Sequence, residues 1–157
     1  MKSRLARTAG EEGFTLLEMV CVVAIIALLA AILLPAIPRA TSRAQLEAFA
    51  LETASVLTTD HSEAMRRHEQ IVTAVNAAAR SIRSGATGRL VNIPRDVVFD
   101  AALPARCNQR PAFSTISFFA TGMSCGGSIM LTRLGAGYEI RVNWLTGGVD
   151  VVAHNAR

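Results

Sequence analysis

From Met19 to Ile37 every residue is apolar or proline. Counted from Phe14 the run reads FTLLEMVCVVAIIALLAAILLPAI, 24 residues with one charge, Glu18. As a helix it reaches about 36 Å, against a bilayer core of about 30 Å. It is also longer than the roughly 7–15 residues of a signal-peptide apolar core. Residues 14–37 are therefore expected to form a transmembrane helix. Lys2, Arg4 and Arg7 precede the run, which places the N-terminus in the cytoplasm and the remainder outside. Arg39 and Arg43, just beyond it, weakly oppose that orientation.

Glu18 is out of place in a simple anchor. An ionised carboxylate costs about 2.5–3.5 kcal/mol at the centre of a membrane helix, and less near its end. Such a group needs a partner. A cut between Gly13 and Phe14 creates an α-amine at Phe14, within about 6 Å of Glu18 along the helix axis. The two groups are poorly placed to meet within one helix. Helices packed with a stagger pair them between subunits, where low dielectric strengthens the attraction.

The residues Gly13-Phe14-Thr15-Leu16-Leu17-Glu18 resemble the processing motif of type IV prepilins and type II secretion pseudopilins. That pattern is a short basic leader ending in Gly, then Phe-Thr-Leu-Leu/Ile-Glu, then an apolar stretch. The resemblance implies that residues 1–13 are a leader removed by a prepilin peptidase. It implies cleavage between Gly13 and Phe14, N-methylation of Phe14, and Glu18 as the assembly carboxylate. Pro35 falls where many members carry a helix-kinking proline, which removes a backbone bond and bends the axis.

Beyond the run the pattern changes to an amphipathic one. Ala44, Leu46, Phe49, Ala50, Ala54 and Leu57 recur at helical spacing, with Gln45, Glu47 and Glu52 between them. One long helix is expected from Phe14 to about His68, with residues 38–68 as its periplasmic extension. Residues 69–157 then form a sheet domain. Gln70–Val75 and Ala79–Arg83 read as a hairpin, with helix as the rival because of the alanines. Ser84–Gly88 is a loop. Short strands are expected at Leu90–Pro94, Val97–Phe99, Ser114–Phe119, Ile129–Thr132, Tyr138–Trp144 and Val149–Val151. Trp144 is assigned to the core on that alternation. The fold class is α+β: a long N-terminal helix packed on a C-terminal antiparallel sheet.

This half resembles one family within the group. Phe119–Leu131, with Gly122 and the Gly126-Gly127 pair, is similar to a stretch of general secretion pathway protein H, and Tyr138–Val149 looks like its final hairpin. Ile93–Val97 matches its strand-proline-strand element. Minor type IV pilins of the FimT kind share the fold. The implied function is a minor pseudopilin of the type II secretion system, in a periplasmic pseudopilus that drives export across the outer membrane. Its implied partners are other pseudopilins, the prepilin peptidase and the inner membrane, with the C-terminal domain in the periplasm. The alternative is a FimT-like minor pilin in DNA uptake or pilus assembly.

The formal charge of +4 over 157 residues comes almost entirely from arginine, since Lys2 is the only lysine. Arg80, Arg83 and Arg89 gather near one loop and are the residues that suit phosphate contacts. The remaining arginines are scattered and aromatic residues sparse, so nucleic acid is not expected as a partner. Cys107 and Cys125 lie 18 apart. On export they are read as a disulfide, with two buried thiols as the alternative. Cys21, inside the apolar run, reads as a small hydrophobe.

No enzyme is expected. His61 and His68 are two helical turns apart, about 10 Å, too far for the joint zinc ligation of an i, i+4 pair. His154 stands alone. Gly122, Gly126 and Gly127 lack the Gly-Lys-Ser/Thr of a phosphate loop and read as turn residues. No Gly-x-Ser-x-Gly elbow is present. No catalytic residue, cofactor or metal site is assigned.

Overall fold

The computed structural model describes residues 15–33 and 40–155. The chain divides into two compact units, 1–39 and 40–157. Gly13, Phe14 and Pro35 lie outside the described residues, as does the end of the expected span.

In the first unit, helix α1 runs Leu16–Leu33. Thr15 opens it: the Glu18 amide donates to the Thr15 carbonyl at 3.0 Å and to its Oγ1 at 3.3 Å. Its 18 residues reach about 27 Å, just short of a bilayer core. Among the described residues no helix is long and apolar enough to cross a membrane. Leu16, Val20, Val23, Ile26 and Leu28 are nevertheless all exposed on the isolated chain. A helix apolar around its whole circumference is stable only when covered by lipid or by other helices.

The second unit opens with helix α2, Arg43–Arg67. The expected continuous helix is interrupted here. Ser42 is an N-cap with extended backbone; its hydroxyl accepts from the Gln45 amide, and the Gln45 side chain accepts from the Ser42 amide. This reciprocal capping box starts a helix afresh. Thr41 is held outside the helix by Asp96, 55 residues away: its amide donates to Oδ2 at 2.7 Å and its hydroxyl to Oδ1 at 2.9 Å. The helix ends where His68 turns left-handed at φ 54°. Leu46, Ala50, Thr53, Val56, Leu57, Asp60 and Ala64 form its buried face.

The strands build two four-stranded antiparallel sheets rather than the single sheet expected. The first contains β1 (Ile71–Asn76), β2 (Ser81–Arg83), β3 (Leu90–Asn92) and β7 (Thr115–Phe118), in the order β3-β2-β1-β7. The second contains β4 (Val98–Ala102), β8 (Gly127–Arg133), β9 (Ala136–Val142) and β10 (Val149–Asn155), in the order β10-β9-β8-β4. A ribbon, β5 (Arg106–Cys107) with β6 (Arg110–Pro111), stands apart.

Alternation decides which side chains face inward. In β1, Ile71, Thr73 and Val75 are buried while Val72, Ala74 and Asn76 are not. In β9, Tyr138, Ile140 and Val142 are buried. These join Ile82, Val91, Ile116, Phe118, Ile129 and Leu131 in one core with Leu46, Ala50 and Leu57 of α2.

Trp144 is not in that core; it is 65% exposed. β9 stops at Val142 because Asn143 makes a turn. Its side-chain oxygen accepts the amides of Leu145 at 2.9 Å and Thr146 at 3.1 Å. Such Asx turns end a strand locally, whatever alternation would continue.

Candidate assembly and partner surfaces

Glu18 sits in the first turn of α1 with its side chain exposed. A carboxylate there is favoured by the helix dipole. Among the described residues its side chain has neither a hydrogen-bond donor nor a cation. Cys21, on the same helix, is exposed on the isolated chain. The helix thus offers an acidic group and an apolar circumference together.

In the second unit the β5–β6 ribbon is a two-residue hairpin. Asn108 and Gln109 take positive φ at 47° and 65° between the paired Cys107 and Arg110. This is the conformation whose twist suits tight hairpins. Cys107 is brought to Cys125, with 5.6 Å between their Cα atoms. That separation is within the disulfide range. Neither two-residue strand announces itself in the sequence, and the pairing was legible only as a cysteine count.

Asp60 is the functional-looking residue that sequence reading passes over. It lies on the buried face of α2 and is fully buried. It accepts from Thr73 Oγ1 and Ser84 Oγ, both at 2.5 Å, and from the amides of Gly85 at 3.0 Å and Ala86 at 3.1 Å. Four donors replace the water lost on burial. Its role is to fasten the Ser84–Gly88 loop and β1 to the helix.

The arginines that suited phosphate are largely occupied. Arg80, half-buried and at φ 53°, donates to the Pro94 carbonyl at 2.7 Å and also to that of Val97. It clamps the passage from β3 to β4, and so from one sheet to the other. Arg89 pairs with Glu52 at 2.8 Å. Arg83 alone of the three is exposed without such a bond among the described residues.

The histidines are likewise structural. His61 donates from Nε2 to the Gly122 carbonyl at 2.8 Å, and its ring lies 5.6 Å from that of Phe118. His68 closes α2, and His154 lies 3.1 Å from Glu139. Among the described residues no group of His, Cys, Asp or Glu is arranged to hold a metal ion. Gly122, Gly126 and Gly127 take φ of 85°, 69° and 140°, which is turn geometry.

Two carboxyls are tuned by this framework. Asp96 is held below the usual carboxylate range, first by the Thr41 amide, then by the Thr41 hydroxyl and Arg133. Glu139 is held low by Arg141 foremost and by His154.

Known proteins share both parts of the chain. The family model of the prokaryotic N-terminal methylation motif matches residues 9–34. The type IV minor pilin FimU of Pseudomonas aeruginosa strain PAO1 is similar in structure: 18% identity, TM-score 0.53, covering 71% of this chain and 91% of that one. The chain is pilin-like in motif and in fold. The pilin-like arrangement extends to the minor pseudopilin EpsH from the Type 2 Secretion System of Vibrio cholerae, at 11% identity and TM-score 0.51, covering 66% of this chain and 93% of that one. Among curated proteins none matches this chain.

Proposed function

We propose that this chain is a minor pilin-like subunit, made as a precursor and assembled into a short periplasmic filament of a type II secretion system. A prepilin peptidase removes residues 1–13, cutting between Gly13 and Phe14, and the Phe14 amine is methylated. Residues 14–37 hold the subunit in the inner membrane until assembly, and Pro35 bends that helix. Other pseudopilins are its partners. It is a structural subunit rather than an enzyme.

The observation that carries the reading is the junction of two things in one chain. An N-terminal methylation motif with an acidic residue, Glu18, that is unpaired among the described residues precedes a pilin-like domain. The dipole of its own helix favours an acid at Glu18, but among the described residues no cation balances its charge. Pairing with the Phe14 amine of a neighbouring subunit neutralises it and sets the stagger between helices. The Cys107–Cys125 pair fits an oxidising compartment, and we assign it as a disulfide of the exported unit.

The deciding experiment compares a strain lacking this gene with one carrying Glu18→Ala. Accumulation of secreted enzymes in the periplasm of both is the expected result. Normal release in both overturns the secretion assignment and leaves pilus assembly as the use of the same subunit. An intact mass equal to the precursor, rather than to a methylated chain beginning at Phe14, overturns the processing step. The phosphate-binding alternative is weakened by Arg80 and Arg89, whose guanidinium groups are already engaged within the fold.

A further inference from the structure

Helix-to-helix assembly leaves one built feature of the exported unit unused. A groove of about 640 Å³ lies beside the β5–β6 ribbon. Arg106, Phe119, Thr121, Met123, Trp144 and the Cys107–Cys125 pair line its walls. Trp144 is 65% exposed and Met123 41% exposed. A large aromatic on the surface is costly to leave in water and is a common anchor at protein interfaces.

The groove is held in shape from beneath. The Trp144 carbonyl accepts the Ser124 amide at 2.9 Å, and the Ser124 hydroxyl donates to the Asn143 carbonyl at 3.0 Å. Gly126 packs so closely below that an added Cβ would stand 3.1 Å from the Trp144 Cβ. The indole is therefore presented on fixed backbone. Little ordering remains to be done when something binds.

Charge selects the occupant. Between Asp100 and Glu139 the sequence holds no acidic residue. Arg106 stands at the rim. It donates to the Gln109 carbonyl at 3.1 Å and makes no ion pair among the described residues. A neutral sugar chain would leave the Arg106 guanidinium without an anionic partner. A nucleic-acid strand needs a track of cations. Here there is one, since Arg110 faces a separate cleft with Gln70 and Thr115. A single guanidinium at the rim of an apolar groove suits a single carboxylate beside an apolar side chain.

We propose that this groove docks a peptide segment of a partner protein in which an aromatic or aliphatic side chain is followed by a carboxylate. The side chain seats against Trp144 and Met123, and the carboxylate pairs with Arg106. The inference concerns the exported surface alone and does not depend on how the N-terminal segment is processed.

Trp144 is the only tryptophan, so its emission reports occupancy directly. The full chain, in non-aromatic detergent, is titrated with a blocked hexapeptide centred on Phe-Asp and with its Phe-Asn counterpart. An oligothymidylate and a chitin trimer serve as controls. The expected result is a saturable change in emission with Phe-Asp, and binding about tenfold weaker with Phe-Asn. Arg106→Gln is expected to remove that difference, while Arg106→Lys keeps it. Thr121→Glu, which adds a like charge on the wall without touching the ribbon, is expected to weaken Phe-Asp selectively. No saturable change at millimolar peptide, equal binding of the two peptides, or preferential binding of either control overturns the proposal.

Discussion

The hydroxyl of Thr73 on β1 donates to the carboxylate of Asp60 on α2 at 2.5 Å, inside the protein. The same carboxylate serves three donors of the Ser84–Gly88 loop region. Removing it strands four polar groups. Asp60→Ala is expected to lower unfolding free energy by roughly 3 kcal/mol or more, since each buried unpaired group costs about 1–3 kcal/mol. Asp60→Asn, which keeps one acceptor oxygen, is expected to cost less. Denaturation followed by circular dichroism orders the two variants; an Ala variant as stable as the parent contradicts the assignment.

Two glycines are fixed by neighbours. A Cβ at Gly85 would overlap the Val72 carbonyl oxygen. At Gly147, where φ is 65°, it would overlap the Gly122 carbonyl oxygen and the His61 ring. Alanine at either position is expected to cost about 1–3 kcal/mol. Gly88, also at positive φ, has nothing within 4 Å of an added Cβ, so Gly88→Ala is the milder control. Melting temperatures of the three variants test the ranking.

The disulfide proposed between Cys107 and Cys125 spans a separation of 18 residues. A loop of this size is worth about 3 kcal/mol in the chain-entropy account. Reduction, or paired replacement by serine, is expected to lower stability by that order and to raise hydrogen exchange in the Ala105–Ala112 segment first. Exchange unchanged in that segment but raised in β1 contradicts this placement of the ribbon.

Acid sensitivity follows from Asp96 and Glu139. Both carboxyls are depressed in the folded protein, so they bind protons more weakly there than in the unfolded chain. Their stabilisation is complete above the unfolded value of about 4 and is lost as pH falls through the lower folded values. Asp96→Asn is expected to flatten the decline of stability below about pH 4 relative to the parent. Unfolding midpoints measured across that range check the sign; a steeper decline in the variant reverses it.

Much of this fold was readable from local pattern. The buried face of α2 follows its 3.6-residue period, and the β1–β2 hairpin and the turn glycines follow their own chemistry. What escaped depended on contacts distant in sequence or on very short elements. The break at Thr41–Ser42 needs Asp96, 55 residues on. Asp60 reads as an ordinary exposed acid until Thr73 and Ser84 arrive. Trp144 alternates correctly with Val142 and is turned outward by one asparagine side chain. Two sheets looked like one because the switch between β3 and β4 is held by Arg80 through backbone carbonyls, which no side-chain pattern records. Of the candidate site, Glu18 stood out because its charge opposed its surroundings; the groove did not, because three of its walls come from separate turns.

Thr41 is grasped by all three of its polar groups. Its amide and hydroxyl reach Asp96, its carbonyl accepts from Arg133, and Arg133 and Asp96 are themselves paired at 3.0 Å. Mechanically this is a cleat at the point where the chain enters the second unit. Tension applied along the N-terminal segment is taken up by β8 and the β3–β4 connection before it can unwind the first turn of α2. A subunit hauled by its tail would thus be loaded through its sheet, with its new helix kept out of the line of pull.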